Sequence, residues 1–258
     1  MKRFCSAAAL ITAFLFASDS TYAQQDIQIT VENLQPADGF YFTPVWLGFH
    51  DGSFDLFDEG AAASSALEAL AEEGDVARVR SDFASVGGQD VVVTDFPGFG
   101  GAPVFDPGNS QSVAISLGAQ DRFVNFATMI IPSNDSFFGN QTSLELLDST
   151  GGFLGDRVIE LTLADLWDAG TELNDGLGAA FSATGGTSTD TNGFVTRGPD
   201  LSNFDTTSTA AGSTIDFASA SGASVVRISF TAVPEPGSAV VLGLGALGLM
   251  FARKRRRI

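Results

Sequence analysis

Ten short runs of β-branched and aromatic residues, separated by Gly, Asn, Asp, Ser and Pro, set the tightest limit on what this chain can fold into. In the first, Asp26-Ile27-Gln28-Ile29-Thr30-Val31-Glu32, three apolar residues alternate with polar ones, which predicts a strand with one buried face. The others fall at 45–49, 90–94, 112–117, 123–131, 144–147, 157–163, 178–182, 214–217 and 224–231. That pattern predicts an antiparallel sandwich or barrel. One segment dissents: 61–73 carries Ala63, Leu67, Leu70 and Ala71 at helical spacing and stops at Gly74, so it predicts one short helix leaning on the sheets. The polar stretch 184–192 reads as a surface loop, and no internal repeat is present.

Both ends carry segments that do not belong to this pattern. Lys2 and Arg3 precede an apolar stretch from Ala7 to Ala17, and Thr21-Tyr22-Ala23 has the small-x-small form of a signal-peptidase site, which predicts a signal over residues 1–23. About 11 apolar residues fall short of the roughly 20 that span hydrocarbon. At the other end, Val233-Pro234-Glu235-Pro236-Gly237-Ser238 leads into an apolar run, Ala239 to Ala252, closed by Arg253-Lys254-Arg255-Arg256-Arg257. An uncharged run followed by a cationic cluster enters a bilayer and stops with the cations inside. A transmembrane segment is predicted over 238–252, and its 14-residue core would be only about 21 Å long as a helix. Residues 24–232 then form one exported domain, large enough for a real core.

That body holds six Arg and no Lys against 29 acids, a net charge of 6 − 29 = −23. Six guanidiniums cannot neutralise it, so most carboxylates must face water or hold cations, and nucleic acid is repelled. Cys5 leaves with the signal, which excludes disulfides from the mature chain, and His50 is its single imidazole. Zinc held by Cys and His is therefore not expected.

Two acid-bearing segments stand out. Met129-Ile130-Ile131-Pro132-Ser133-Asn134-Asp135-Ser136-Phe137-Phe138-Gly139 is answered by Trp167-Asp168-Ala169-Gly170-Thr171-Glu172-Leu173-Asn174-Asp175-Gly176. Each places carboxylates in a turn beside a predicted strand, where a hard cation such as Ca²⁺ could draw its six to eight oxygens. Asp135, Asp168 and Glu172 are the candidate ligands, with Asn134, Asn174 and Asp175 next. An Asp-Gly turn whose carboxylate caps backbone amides explains the same residues without an ion.

The pair of segments resembles the spondin domain, the N-terminal module of F-spondin and mindin. Trp46, His50, Phe57, Gly60, Ala63-Ser64 and Leu70-Ala71-Glu72 ahead of Gly74 fit the same family. The resemblance implies an all-β, C2-like antiparallel sandwich that binds calcium at one edge through Asp135, Asp168 and Glu172 and serves adhesion or matrix organisation. Ser136 departs from the family's Trp and Glu172 from its Asp, and the framing cysteines are missing. The terminal segment resembles the PEP-CTERM sorting tail, with Pro234, Glu235 and Pro236 as its motif. That resemblance implies cleavage by an exosortase-type membrane protease and passage from the inner membrane to the cell surface, where extracellular polysaccharide is a candidate partner.

Catalysis is not expected. No Gly-x-Ser-x-Gly elbow occurs, and His50 beside Asp51 reads as a structural histidine. A secreted polysaccharide hydrolase stays open as an alternative, because its two carboxylates need only a spatial separation of roughly 5 to 9.5 Å. The other alternative is an inert surface building block whose acids serve solubility.

Overall fold

The computed structural model describes residues 24–95, 102–217, 220 and 222–233. The signal over 1–23, Cys5, the sorting motif at 234–236 and the segment 238–252 lie outside the described residues. Among those described, no helix is long and apolar enough to cross a membrane.

The elements run β1 (Gln25–Asn33), β2 (Tyr41–Phe42), β3 (Val45–His50), α1 (Ser65–Glu73), α2 (Ala77–Phe83), β4 (Gln89–Val93), β5 (Ser110–Leu117), β6 (Phe123–Ile131), β7 (Ser136–Gly139), β8 (Leu144–Glu145), β9 (Arg157–Leu161), β10 (Trp167–Asp168), β11 (Thr196–Arg197) and β12 (Val226–Ala232). They make two antiparallel sheets. One has the order β5-β1-β12-β9; the other runs β11-β10-β7-β6-β3-β4, with β2 and β8 also pairing β6. The fold is an antiparallel β-sandwich, as the strand periodicity predicts.

Burial explains the two strand patterns. In β1 the residues Ile27, Ile29 and Val31 are buried and their neighbours are not, so that sheet covers the core with one face and meets water with the other. β3 and β6 are apolar almost throughout because their sheet is covered on both sides. Ile27, Ile29, Leu47, Phe126, Phe138 and Phe230 meet between the sheets. Trp46, Ala127, Phe137 and Trp167 turn the other way, against Leu67, Leu70, Val79 and Phe83 of the helices. Phenylalanine fills much of this interior: among the described residues, ten of the twelve largest fully buried side chains are Phe, and the other two are Trp46 and Trp167.

The expected helix forms over Ser65–Glu73 rather than from residue 61. Ser64 sets its start by accepting the Leu67 N–H at 3.1 Å, and Gly74, at φ +69°, ends it in the left-handed region. α2 is a correction to the single helix expected. It has only Val79 and Phe83 buried and no side-chain cap, too weak a pattern over seven residues to stand out. The runs at 178–182 and 214–217 are not strands but make isolated bridges, Ser182 with Thr209 and Ser208 with Thr214. Gly178 at φ +67° and Phe181 at φ +59° break extension there, while Ile215 and Phe217 are buried from loops.

The topology has two poles. Ile27 pairs with Ala232 and the Val233 N–H bonds the Asp26 carbonyl, so the body's two ends lie side by side. Asn33 pairs with Val226 at the far end of β1, six residues and about 20 Å from the Ile27–Ala232 pair at roughly 3.3 Å per residue. Asn33 reaches the Phe40 carbonyl there, and Tyr41 pairs with Ile131 just before the first acid-bearing turn.

Candidate functional site

Backbone pairing brings the two acid-bearing segments together at that far pole. In β10 and β7, Trp167 pairs with Phe137 and Asp168 with Ser136, which sets Asp168 one residue along from Asp135. The Ala169 N–H bonds the Asp135 carbonyl at 3.1 Å and extends the join. Trp167 fixes this register: it is fully buried, its indole N–H donates to the Gly139 carbonyl at 3.0 Å, and Phe57 packs edge-on against it. The Arg197 guanidinium covers its other side, 4.0 Å from the ring centre.

Asp135 is fully buried and accepts four hydrogen bonds. The Thr171 and Glu172 N–H groups reach Oδ2 at 2.8 and 3.1 Å, the Thr171 hydroxyl reaches Oδ2 at 3.4 Å, and the Asn174 amide reaches Oδ1 at 3.1 Å. The same Asn174 nitrogen donates to Asp168 Oδ2 at 2.8 Å, while Asp168 Oδ1 takes the Gly170 N–H. Asn174 thus bridges the two carboxylates. Glu172 enters the network through its N–H and through Oε2, which accepts from Asn134 Nδ2 at 3.1 Å. Asn134 also holds the Leu177 carbonyl and the Gly176 N–H. Asp175 stands apart and only caps the Leu177 N–H.

Two participants were not singled out as ligands by the sequence. Glu72, from the last turn of α1, hydrogen-bonds the Thr171 side chain and feels the charges of Glu172, Glu68 and Asp135. Its place before Gly74 in a spondin-like stretch was the available signal, but a carboxylate from some 60 residues upstream shows no local spacing with Asp135. The Ser136 hydroxyl is fully buried and has no hydrogen-bond partner among the described residues. Directly paired residues project to the same face, so this orphaned oxygen lies on the Asp168 side.

Among the described residues, the knot gathers negative charge without a paired cation. The five ion pairs among the described residues join Arg80 to Asp90, Arg122 to Glu145, Arg197 to Asp165, and Arg227 to Glu32 and Glu160. None touches Asp135, Asp168, Glu172 or Glu72. Burial, and then the charge of Asp168, pushes the Asp135 carboxyl up to about 6. Burial pushes Glu72 up to about 7, with the Thr171 hydrogen bond opposing, and raises Asp168 against bonds from Gly170 and Asn174.

These raised values fix the sign of a pH effect on the metal-free protein. A carboxyl that binds its proton more tightly folded than unfolded stabilises fully below its unfolded value, and that contribution fades as pH rises through its folded value. Asp135 and Glu72 place the window between about 4 and 7. In chelator, the protein should melt at a higher temperature at pH 5 than at pH 7.5, and Asp135→Asn should flatten the difference. Melting scans across this range check it; a midpoint that climbs with pH in the wild type would contradict it.

The donor set suits a hard cation in kind: buried carboxylate oxygens, an orphaned hydroxyl and nearby backbone carbonyls, with no sulfur or imidazole. Among the described residues, no three of His, Cys, Asp and Glu are grouped closely enough to hold a metal unaided. Amide, hydroxyl and backbone oxygens must therefore complete any shell. His50 lies elsewhere, fully engaged: Nε2 pairs with Asn125 Oδ1 at 2.8 Å, and Nδ1 accepts the Gly52 and Phe54 N–H groups. Ser133 is likewise occupied, donating to the Ile130 and Ser136 carbonyls and accepting the Ser136 N–H.

The fold and site define a β-sandwich module that carries a loop-built acidic knot at one pole. The family model Spondin_N matches residues 33–196, well over half of the chain, and this protein belongs to that family. The PEP-CTERM protein-sorting motif matches residues 232–257, which makes the chain an exported surface protein bearing the tail that exosortase-type processing recognises. No curated protein matches the chain.

Proposed function

We propose that this spondin-like module is a non-enzymatic, calcium-binding adhesion or matrix-organising unit delivered to the cell surface. The observation that carries this reading is the pair of a fully buried Asp135 and a half-buried Asp168, which share one neutral amide, have an orphaned Ser136 hydroxyl beside them and, among the described residues, have no guanidinium paired to them. Asp135, Asp168 and Glu172 would hold the ion, with Glu72 and Ser136 in support. A bound calcium would supply positive charge where the described residues place none. The chain's own loops cap and orient the carboxylates through the Thr171, Glu172 and Gly170 N–H groups.

The poles of the sandwich support an outward-facing role. Val233, which leads into the tail, leaves from the end opposite the knot, so a body held by its tail would present the acidic loops away from the membrane. The engaged states of His50 and Ser133 favour a binding role over hydrolysis.

Two measurements test the proposal. Surface-extracted protein should weigh less than the encoded chain, first by the signal and then by the tail beyond the Pro234-Glu235-Pro236 motif. Recovery of peptides spanning Arg253 to Ile258 from the surface fraction would contradict processing. Protein attached to the cell's own exopolymer should come off in chelator and return with calcium, and attachment indifferent to both would contradict the calcium-dependent role.

A further inference from the structure

Beside the knot, a pocket of about 320 Å³ opens between the start of α1 and a loop ribbon running from 170 to 195. Its size sits at the lower end of small-ligand sites, which span roughly 300 to 1,000 Å³. Glu68 of α1 lines one side; Thr171, Asp190, Asn192 and Phe194 of the ribbon line the other. From this lining we propose that the pocket is a binding site for a neutral sugar unit of an extracellular polysaccharide. The proposal rests on the functional reading above only for the class of partner it names.

The ribbon is held firmly by its backbone. Gly193 N–H bonds Gly170 O and Thr191 N–H bonds Thr171 O, with Leu173 N–H on Thr189 O and a bridge between Glu172 and Asp190. Gly170 stands at φ +71°, and a side chain there would meet the Phe194 backbone at 2.6 Å, so only glycine permits this approach. Val195 is fully buried and bonds Ala61 O, yet the adjacent Phe194 ring is 59% exposed. The ring is therefore held out at the pocket's edge by ordered neighbours on both sides. Leu173 and Leu177, on the same ribbon, are also exposed, so three of the five large exposed hydrophobics among the described residues belong to it.

The combination selects a polyol. A pyranose offers an apolar C–H face to an aromatic ring and hydroxyls to carboxylates, which accept such bonds in charge-assisted form. Glu68, Asp190 and Asn192 supply acceptors and donors around one ring-sized space. Among the described residues no Arg lines the pocket while Glu68 and Asp190 do, so uronates, sulfated sugars and phosphates are repelled. One Phe is not the long aromatic strip of a cellulose-type binding face, and the site suits one or two sugar units, with Leu173 and Leu177 as shallow flanking contacts.

Affinity electrophoresis of the full chain, extracted in mild detergent, through gels carrying neutral glucans, galactans or mannans tests this, with alginate and choline as competitors of other chemistry. At least one neutral polysaccharide should retard the wild type, Phe194→Ala should weaken retardation tenfold or more, Phe194→Trp should retain it and Asp190→Asn should reduce it. All three variants should keep the wild-type melting temperature in chelator. No retardation by any neutral polymer, retardation untouched in Phe194→Ala, or abolition by choline would overturn the proposal. A calcium-induced melting shift that vanishes while retardation persists would instead count against the ion site alone.

Discussion

Asp135→Asn is expected to erase the effect of calcium on melting. An ion that binds only the folded chain at about 100 times its dissociation constant adds roughly 2.7 kcal/mol. For a domain of about this size, each kcal/mol moves the midpoint by roughly 2 to 4 °C, so the wild type should gain about 5 to 11 °C and lose it in chelator. The substitution preserves shape but replaces one anionic oxygen with a donor facing the Thr171 and Glu172 N–H groups or Asn174. Asp135→Ala removes the acceptor of four hydrogen bonds and should also destabilise the metal-free protein by about 1 to 3 kcal/mol, the cost of orphaned buried donors. Calorimetry with and without calcium separates the two losses. A full calcium shift in Asp135→Asn would contradict the assignment.

Trp167→Ala should be the most damaging single change near the site. Truncating a fully buried Trp costs roughly 3 to 5 kcal/mol, or about 6 to 20 °C here. The loss reaches the knot because Trp167 precedes Asp168 in a two-residue strand, and its packing on Phe57 together with its bond to Gly139 O holds that strand on β7. Calcium affinity should therefore fall together with stability. Trp167→Phe, which keeps the ring contact but loses the donor, should cost less and leave calcium binding close to wild type. Denaturant unfolding and calcium titration of both variants check this; equal affinity loss in the two would mean that the indole hydrogen bond, and not packing, positions Asp168.

The sheets were legible where burial follows a simple rule. One covered face gives β1 its alternation, and two covered faces give β3 and β6 their apolar runs. Strands of two residues, such as β2, β10 and β11, carry no period of their own and exist because a neighbour supplies the ladder. The run at 214–217 misled because loop residues such as Ile215 and Phe217 bury as deeply as strand residues do. In the knot, Asp135, Asp168 and Glu172 were visible because each lies in one of the two spondin-like segments. Their relation was not: a shared Asn174 amide and a Glu172 carboxylate turned toward Asn134 depend on how two loops close over each other. Glu72 was hidden for the same reason, since α1 delivers it from a different part of the chain.

The most direct test is crystallographic, with calcium or a lanthanide soaked at saturation and located by anomalous scattering. The predicted result is a single strong peak at the knot, about 2.3 to 2.6 Å from oxygens of both Asp135 and Asp168, with the Asn174 nitrogen displaced from between them. A saturated crystal with no peak there, and the Asn174 amide still bridging the two carboxylates, would contradict it.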